Sequence, residues 1–310
     1  MKHTLLPQAP SAVLMVRPHC FTPNPQTAAD NAFQRPGSGK APTEIAANAY
    51  REFTEAAQTL ESLGVTVHLF EDDVQGRTPD SVFPNNWFST HAGGHVALYP
   101  MYSANRRLER RSDVIEMLKT KYRVQDVIDY SGLEPDGLFL EGTGAMVLDH
   151  IDRVAYTARS NRANPIALER FATHFNYEPM AFDALDASGK AIYHTNVLMC
   201  IATDFAMAGF ELIPDTARRC EIRARLEATG RDIIDLTPHQ IGEFAGNALE
   251  LHGSQGKLLA LSARALASLS PAQIGVMEQS ATLVPLQIPT IELAGGSVRC
   301  MLAGIHLAKR

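Results

Sequence analysis

Ten short apolar runs limit what this chain can fold into: Val13–Val16, Val65–Phe70, Val96–Tyr99, Ala145–Leu148, Val154–Thr157, Val197–Ile201, Asp232–Leu236, Lys257–Leu261, Thr282–Leu286 and Val298–Leu302. Each has strand length and either runs continuously apolar or alternates with polar residues. Segments with helical spacing interleave with them over Thr43–Leu63, Arg106–Lys121, Pro165–Phe175, Thr216–Thr229 and Pro271–Gln279. Ser270-Pro271 supplies an N-cap followed by proline at the first helical position, and Gly64 and Gly230 close helices at their C-terminal ends. With about two strands per helix, the chain is too strand-rich for a simple βαβ alternation. No Gly-x-Gly-x-x-Gly opens a helix after a strand, which disfavours a dinucleotide-binding fold. No sequence repeat is visible, although repeated modules of divergent sequence would leave none.

The 310 residues are 45% hydrophobic and 20% charged, enough to bury a large core. No linker rich in Pro, Gly or Ser divides them, so residues 1–310 are expected to form a single α/β domain. A net charge of -6 offers no basic footprint for nucleic acid. Arg106, Arg107, Arg110 and Arg111 form the dense basic cluster; interleaved with Glu109 and followed by Asp113 and Glu116, they read as a solvated helix face. Cys20, Cys200, Cys220 and Cys300 lie far apart, against both a disulfide framework and a zinc ribbon and in favour of a reducing compartment. His91-x-x-x-His95 flanks Ala92-Gly93-Gly94 and reads as a hairpin turn, so no metal and no organic cofactor are expected. The run Ala12–Val16 is too short for a signal-peptide core, and no apolar stretch is long enough to span a bilayer. The expected location is the cytoplasm, with no membrane partner.

Cys300 lies in Ala294-Gly295-Gly296-Ser297-Val298-Arg299-Cys300-Met301-Leu302, a strand-like apolar run behind two glycines that allow close backbone approach. Three other patches set polar groups and glycines beside apolar runs: Pro79-Asp80-Ser81-Val82-Phe83-Pro84-Asn85-Asn86-Trp87, Phe139-Leu140-Glu141-Gly142-Thr143-Gly144 and Tyr193-His194-Thr195-Asn196-Val197. Singly, each has a structural reading: Cys300 a buried thiol, His194 a core histidine, Glu141 a turn residue, Asp80 a cap, Asn85-Asn86 a solvated turn. Together they supply a nucleophile, a base and a carboxylate that orients the base, the constellation cysteine hydrolysis needs. A free thiol is only a few per cent ionised at neutral pH. His194 would take its proton and later return it to the leaving nitrogen, while Glu141 fixes the imidazole tautomer. Arg299 is an unsuitable helper, because adjacent side chains on a strand face opposite ways.

The order Asp80, Glu141, His194, Cys300 in these local sequences resembles the guanidino-group-modifying superfamily over nearly the whole chain, most of all the citrulline utilisation hydrolases and dimethylarginine hydrolases. The resemblance implies an α/β-propeller of five ββαβ modules around a central polar site. It also implies roles: Cys300 as nucleophile, His194 as general acid/base, Glu141 as its carboxylate partner and Asp80 as a contact to the reacting end of the substrate. In Tyr156-Thr157-Ala158-Arg159-Ser160-Asn161, Arg159 is similar to the arginine that clamps the substrate α-carboxylate in dimethylarginine hydrolases.

Two departures matter. Guanidine-processing relatives carry a second carboxylate where this chain has Asn86, and deiminases and amidinotransferases carry an aspartate where it has Asn196. A buried guanidinium needs carboxylates, whereas a ureido group is neutral and offers a carbonyl that an amide N–H can bind. The expected substrate is therefore citrulline, hydrolysed through a covalent Cys300 adduct to ornithine, CO2 and ammonia, with Asn86 or Asn196 steadying the oxyanion. Arginine or methylarginine hydrolysis, amidino transfer to an amine and a non-catalytic binding module are the alternatives. A small amino acid is the expected partner, and a homo-oligomer is left open.

Overall fold

The computed structural model describes residues 7–35 and 39–310. Its strands form five three-stranded sheets, each built the same way. A first strand pairs antiparallel with a second, a helix follows, and a third strand then pairs parallel with the second. Phe88–His91, His95–Leu98 and Asp126–Asp129 form one such sheet, with Ser112–Lys121 as the crossover helix. Met146–Asp149, Val154–Ala158 and Glu178–Phe182 form another around Pro165–Phe175. Met199–Ile201, Phe205–Ala208 and Asp232–Asp235 follow around Thr216–Glu227. In the next sheet Leu249–Gly253, Gly256–Ser262 and Thr282–Leu286 enclose Ala263–Ser268 and Pro271–Glu278.

The remaining sheet joins the two ends of the chain. Ala12–Arg17 pairs parallel with Thr66–Glu71 across the helix Pro42–Ser62, and its other edge pairs antiparallel with Ala303–Gly304. Five ββαβ modules result, as the resemblance implies, and the ring is latched by a strand from the C-terminus. Closure of this kind protects sheet edges that would otherwise be open.

Local chemistry accounts for the helices. Pro42–Ser62 turns Ile45, Ala49, Phe53, Ala56 and Leu60 inward at helical spacing. Pro271–Glu278 starts with a complete capping box between Ser270 and Gln273. Gly64 and Gly230 have φ of 87° and 80°, the left-handed conformation that stops a helix.

Two expectations fail. Val298–Leu302 is not a strand: Val298–Met301 is a single helical turn, and the strand begins only at Ala303. A short apolar run cannot be assigned to strand or buried helix from periodicity alone. The basic cluster is not a solvated helix face either. Ala104–Glu109 is a 3-10 turn, the helix starts afresh at Ser112, and Arg106 is only 2% exposed. His91 and His95 do bracket a hairpin, paired directly across it.

Candidate active site

The chain enters each sheet's first strand from a short turn, and these turns carry the chemistry. Pro84–Asn86 precedes Phe88–His91, Gly142–Ala145 precedes Met146–Asp149, and Thr195–Val197 precedes Met199–Ile201. Asn247 lies just before Leu249–Gly253, and Val298–Met301 just before Ala303–Gly304. A polar residue at the same place in successive modules therefore meets its counterparts near the middle of the ring. Asp80, Asn86, His194 and Cys300 line one small central pocket together with Arg106 and Arg162. Glu141 and Asn196 are completely buried in contact with that lining. Asn85 and Asn86 are buried as well, which removes the solvated-turn reading.

Close approach of these turns depends on Gly142 and Gly144. Gly142 has φ 47°, and a Cβ there would meet the Asn85 carbonyl oxygen at 2.5 Å. A Cβ on Gly144 would collide with the Asn86 amide and lie 2.8 Å from His194 Nδ1. The motif Glu141-Gly142-Thr143-Gly144 thus places its carboxylate against the imidazole because no side chain intervenes.

Glu141 Oε2 lies 2.8 Å from His194 Nε2. The same oxygen is 3.4 Å from Arg162 Nη1 and 3.6 Å from Arg106 Nη1, while Oε1 accepts from the Tyr102 backbone N–H at 3.0 Å. Burial works to raise the Glu141 pKa, but Arg162, the His194 bond and Arg106 outweigh it and hold the carboxyl well below its usual range. An ionised carboxylate only accepts, so Nε2 of His194 carries the proton and Nδ1 is left as the base. Burial pushes the His194 pKa down to about 4 against the upward pull of Glu141. At neutral pH the imidazole is uncharged and able to accept a proton.

Cys300 Sγ receives two amide donors, Asn196 Nδ2 at 3.2 Å and Asn247 Nδ2 at 3.3 Å. Asn247 Oδ1 in turn accepts from the backbone N–H of Arg299 at 3.0 Å, locking the amide to the turn that carries the thiol. Asp80 Oδ1 and Asn196 Oδ1 are buried acceptors with no partner among the described residues. Buried oxygens of this kind suit a ligand rich in N–H donors.

Arg106 ties the acidic groups together. It makes a bidentate pair with Glu109, both bonds 2.9 Å, and its Nε lies 3.7 Å from Asp80 Oδ2. With its amide oriented to suit both neighbours, Asn86 donates to Asn85 Oδ1 at 3.2 Å and accepts from two Arg106 nitrogens at 3.0 Å. Asp80 Oδ2 also accepts from Asn24 Nδ2 at 2.8 Å, although burial still raises its pKa. Burial pushes Glu109 up to about 8 even against Arg106. Arg162 forks onto Asp30 at 2.6 and 2.9 Å, bringing the segment around Asp30 to the site.

Arg159 is elsewhere. It is exposed and pairs with Asp183 at 3.3 Å, outside the pocket lining. The arginine that reaches the site from this stretch is Arg162, two positions beyond Ser160. Arg106, Arg162 and Asn247 are among the polar groups at the site that the expected residues did not include, as are Asp30 and Glu109. Asn247 had a signal, since it precedes a strand by two residues, as Asn86 precedes Phe88. Among the described residues no cluster of His, Cys, Asp and Glu could hold a metal ion.

A family profile for N,N dimethylarginine dimethylhydrolase, eukaryotic, matches residues 17–307. No curated protein gives a significant match. The N-terminal domain of ArgZ, an arginine dihydrolase from the ornithine-ammonia cycle in cyanobacteria, superposes with a TM-score of 0.72 at 16% identity, over 95% of this chain and 97% of that one. Unliganded AgrE superposes with a TM-score of 0.74 at 17% identity, over 96% of this chain and 40% of that one. A dimethylarginine hydrolase (DDAH) from Pseudomonas aeruginosa, a cysteine-to-serine mutant complexed with citrulline, gives a TM-score of 0.62 at 12% identity, over 97% of this chain and the whole of that one. The fold shared with all three is the five-module α/β-propeller.

Proposed function

The chain belongs to the N,N dimethylarginine dimethylhydrolase family, within the guanidino-group-modifying superfamily of hydrolases that cleave C–N bonds, and from that premise we propose that it hydrolyses citrulline. The observation that carries the substrate choice is Arg106. Asp80, the acid left to receive a substrate cation, already faces the protein's own guanidinium and an asparagine amide. A second guanidinium against Asp80 would lie within roughly 5 Å of Arg106, a repulsion of about 3 kcal/mol at an effective dielectric constant near 20. A neutral ureido group escapes that cost and keeps its N–H groups for the unpartnered oxygens of Asp80 and Asn196.

In this mechanism neutral His194 takes the Cys300 proton, and Glu141 stabilises the imidazolium that forms. The sulfur attacks the ureido carbon, and charge gathers on the carbonyl oxygen, for which Asn196 Nδ2 keeps its second hydrogen. His194 returns the proton to the δ-nitrogen, the C–N bond breaks, and ornithine leaves a carbamoyl group on sulfur. Water, deprotonated by His194, releases carbamate, which decomposes to CO2 and ammonia. Asn86, its N–H donated to Asn85 Oδ1 and its oxygen engaged by Arg106, acts through Arg106 and not as an oxyanion donor. Neither a metal nor an organic cofactor enters any step. The substrate is the one partner proposed, residues 1–310 are proposed to act as one catalytic unit, and the cytoplasm is the proposed compartment; no helix among the described residues is long and apolar enough to cross a membrane.

A second reading, arginine or methylarginine hydrolysis, draws support from the carboxylates. Asp30, Asp80, Glu109 and Glu141 outnumber Arg106 and Arg162 around the site. Citrulline, arginine, methylated arginines and agmatine, assayed separately for ornithine, ammonia, urea and released amines, decide between the two. Wild-type protein should form ornithine and ammonia fastest from citrulline, and Cys300→Ala should form none. Arginine turnover orders of magnitude above citrulline would defeat the ureido reading and leave the family membership intact.

A further inference from the structure

Arg299 precedes Cys300, yet its side chain turns away from the candidate active site. It lines a separate cavity, walled also by His150, His306, Gln8, Thr90 and Cys200. The guanidinium makes one side-chain hydrogen bond, from Nη1 to the Leu302 carbonyl at 2.9 Å. Among the described residues no carboxylate pairs with it. This sets it apart from Arg106, Arg162 and Arg231, buried arginines that each hold a carboxylate. Holding a half-buried guanidinium without a counter-charge is unfavourable and needs a reason.

The cavity supplies further donors. His306 stacks on His150 with ring centroids 3.8 Å apart, and Tyr177 OH lies 2.8 Å from His150 Nδ1, which leaves Nε2 without a partner among the described residues. Arg299, His150 and His306 each keep part of their surface exposed. The space holds about three water molecules, the size of one small oxyanion. A planar guanidinium fork flanked by imidazole nitrogens is a donor set for oxygen anions.

We propose that this cavity binds a small inorganic oxyanion, of the phosphate or bicarbonate class, anchored by Arg299 with His306 and His150. The site lies directly behind the turn that carries Cys300 and is distinct from the substrate pocket.

The test uses the full chain and follows thermal unfolding while sodium phosphate or sodium bicarbonate is titrated at fixed pH and ionic strength, with chloride as the reference. A ligand that binds the folded state raises Tm saturably. Wild-type protein should show such a rise with at least one oxyanion and none with chloride, and Arg299→Gln or His306→Phe should raise the half-saturating concentration at least tenfold. A response to phosphate alone assigns a tetrahedral ligand, and one to bicarbonate alone a planar ligand. No saturable rise in wild type, or variants that respond as wild type does, overturns the proposal. Should Arg299→Gln fail to fold, His306→Phe decides by itself.

Discussion

Glu141 bears on two properties of His194 at once, its tautomer and its basicity. Glu141→Gln removes the charge that pulls the imidazole pKa upward and allows the amide to present either a donor or an acceptor to Nε2. Turnover should fall by roughly 10²–10⁴ with little change in KM, read from steady-state kinetics on the preferred substrate. The pH dependence has a definite sign. The folded His194 pKa, about 4, lies below the ordinary 6.5, so as pH falls through that window the unfolded chain takes up a proton that the folded site refuses. Stability contributed by this group is therefore lost as pH drops from 6.5 toward 4, while the base itself stays mostly neutral until the pH nears 4. The acid limb of kcat/KM should accordingly fall near pH 4 to 5; a limb at 6.5 would mean an imidazole in ordinary solvation. Asn247→Leu removes one of the two amides on Cys300 at similar volume and should slow both iodoacetamide alkylation and turnover, the latter by about 10²–10³. That Cys300, His194, Glu141 and Asp80 come together was legible in the sequence, because chemistry restricts which residues can play the parts proposed for them. Arg106 was not, since Arg106 and Glu109 at i and i+3 look the same on a solvated helix and in a buried ion pair.

Turns and glycines make up the next scale. Each central turn is followed by a strand whose pairing fixes its height, so one added methyl group between turns is felt by three modules. Gly144→Ala pushes against Asn86 and His194 together. It should cost activity by at least tenfold while far-UV circular dichroism remains native; unchanged kinetics would show that the turns can yield. Helix boundaries were read well except at Arg106–Lys121, whose helix starts at Ser112; Pro165–Phe175 matches residue for residue, because caps and apolar spacing are local properties. Val298–Met301 was misread as strand for the opposite reason. Its contacts are with other modules, through the Asn196 and Asn247 amides on Cys300 and the Asn247 oxygen on the Arg299 N–H, and nothing in four consecutive residues records that.

At the scale of the molecule, the latch of Ala303–Gly304 on Ala12–Arg17 makes the first module depend on the last residues of the chain. If residues 1–310 act as one unit, chemical denaturation should show a single transition with coincident fluorescence and circular dichroism. Removal of residues 303–310 should lower stability and activity together, whereas two resolved transitions would contradict a single domain. The sequence by itself determined the class of fold, the strand-rich alternation and the four chemical residue types, because propensity, capping and reactivity belong to each residue and its near neighbours. Tertiary structure alone decided that Arg106 neutralises Asp80, that Arg162 and not Arg159 reaches the site, and that Asn247 joins Asn196 on the thiol. Those outcomes depend on which side chains share a buried, poorly screened volume, and ring closure brings them together from positions far apart in the chain.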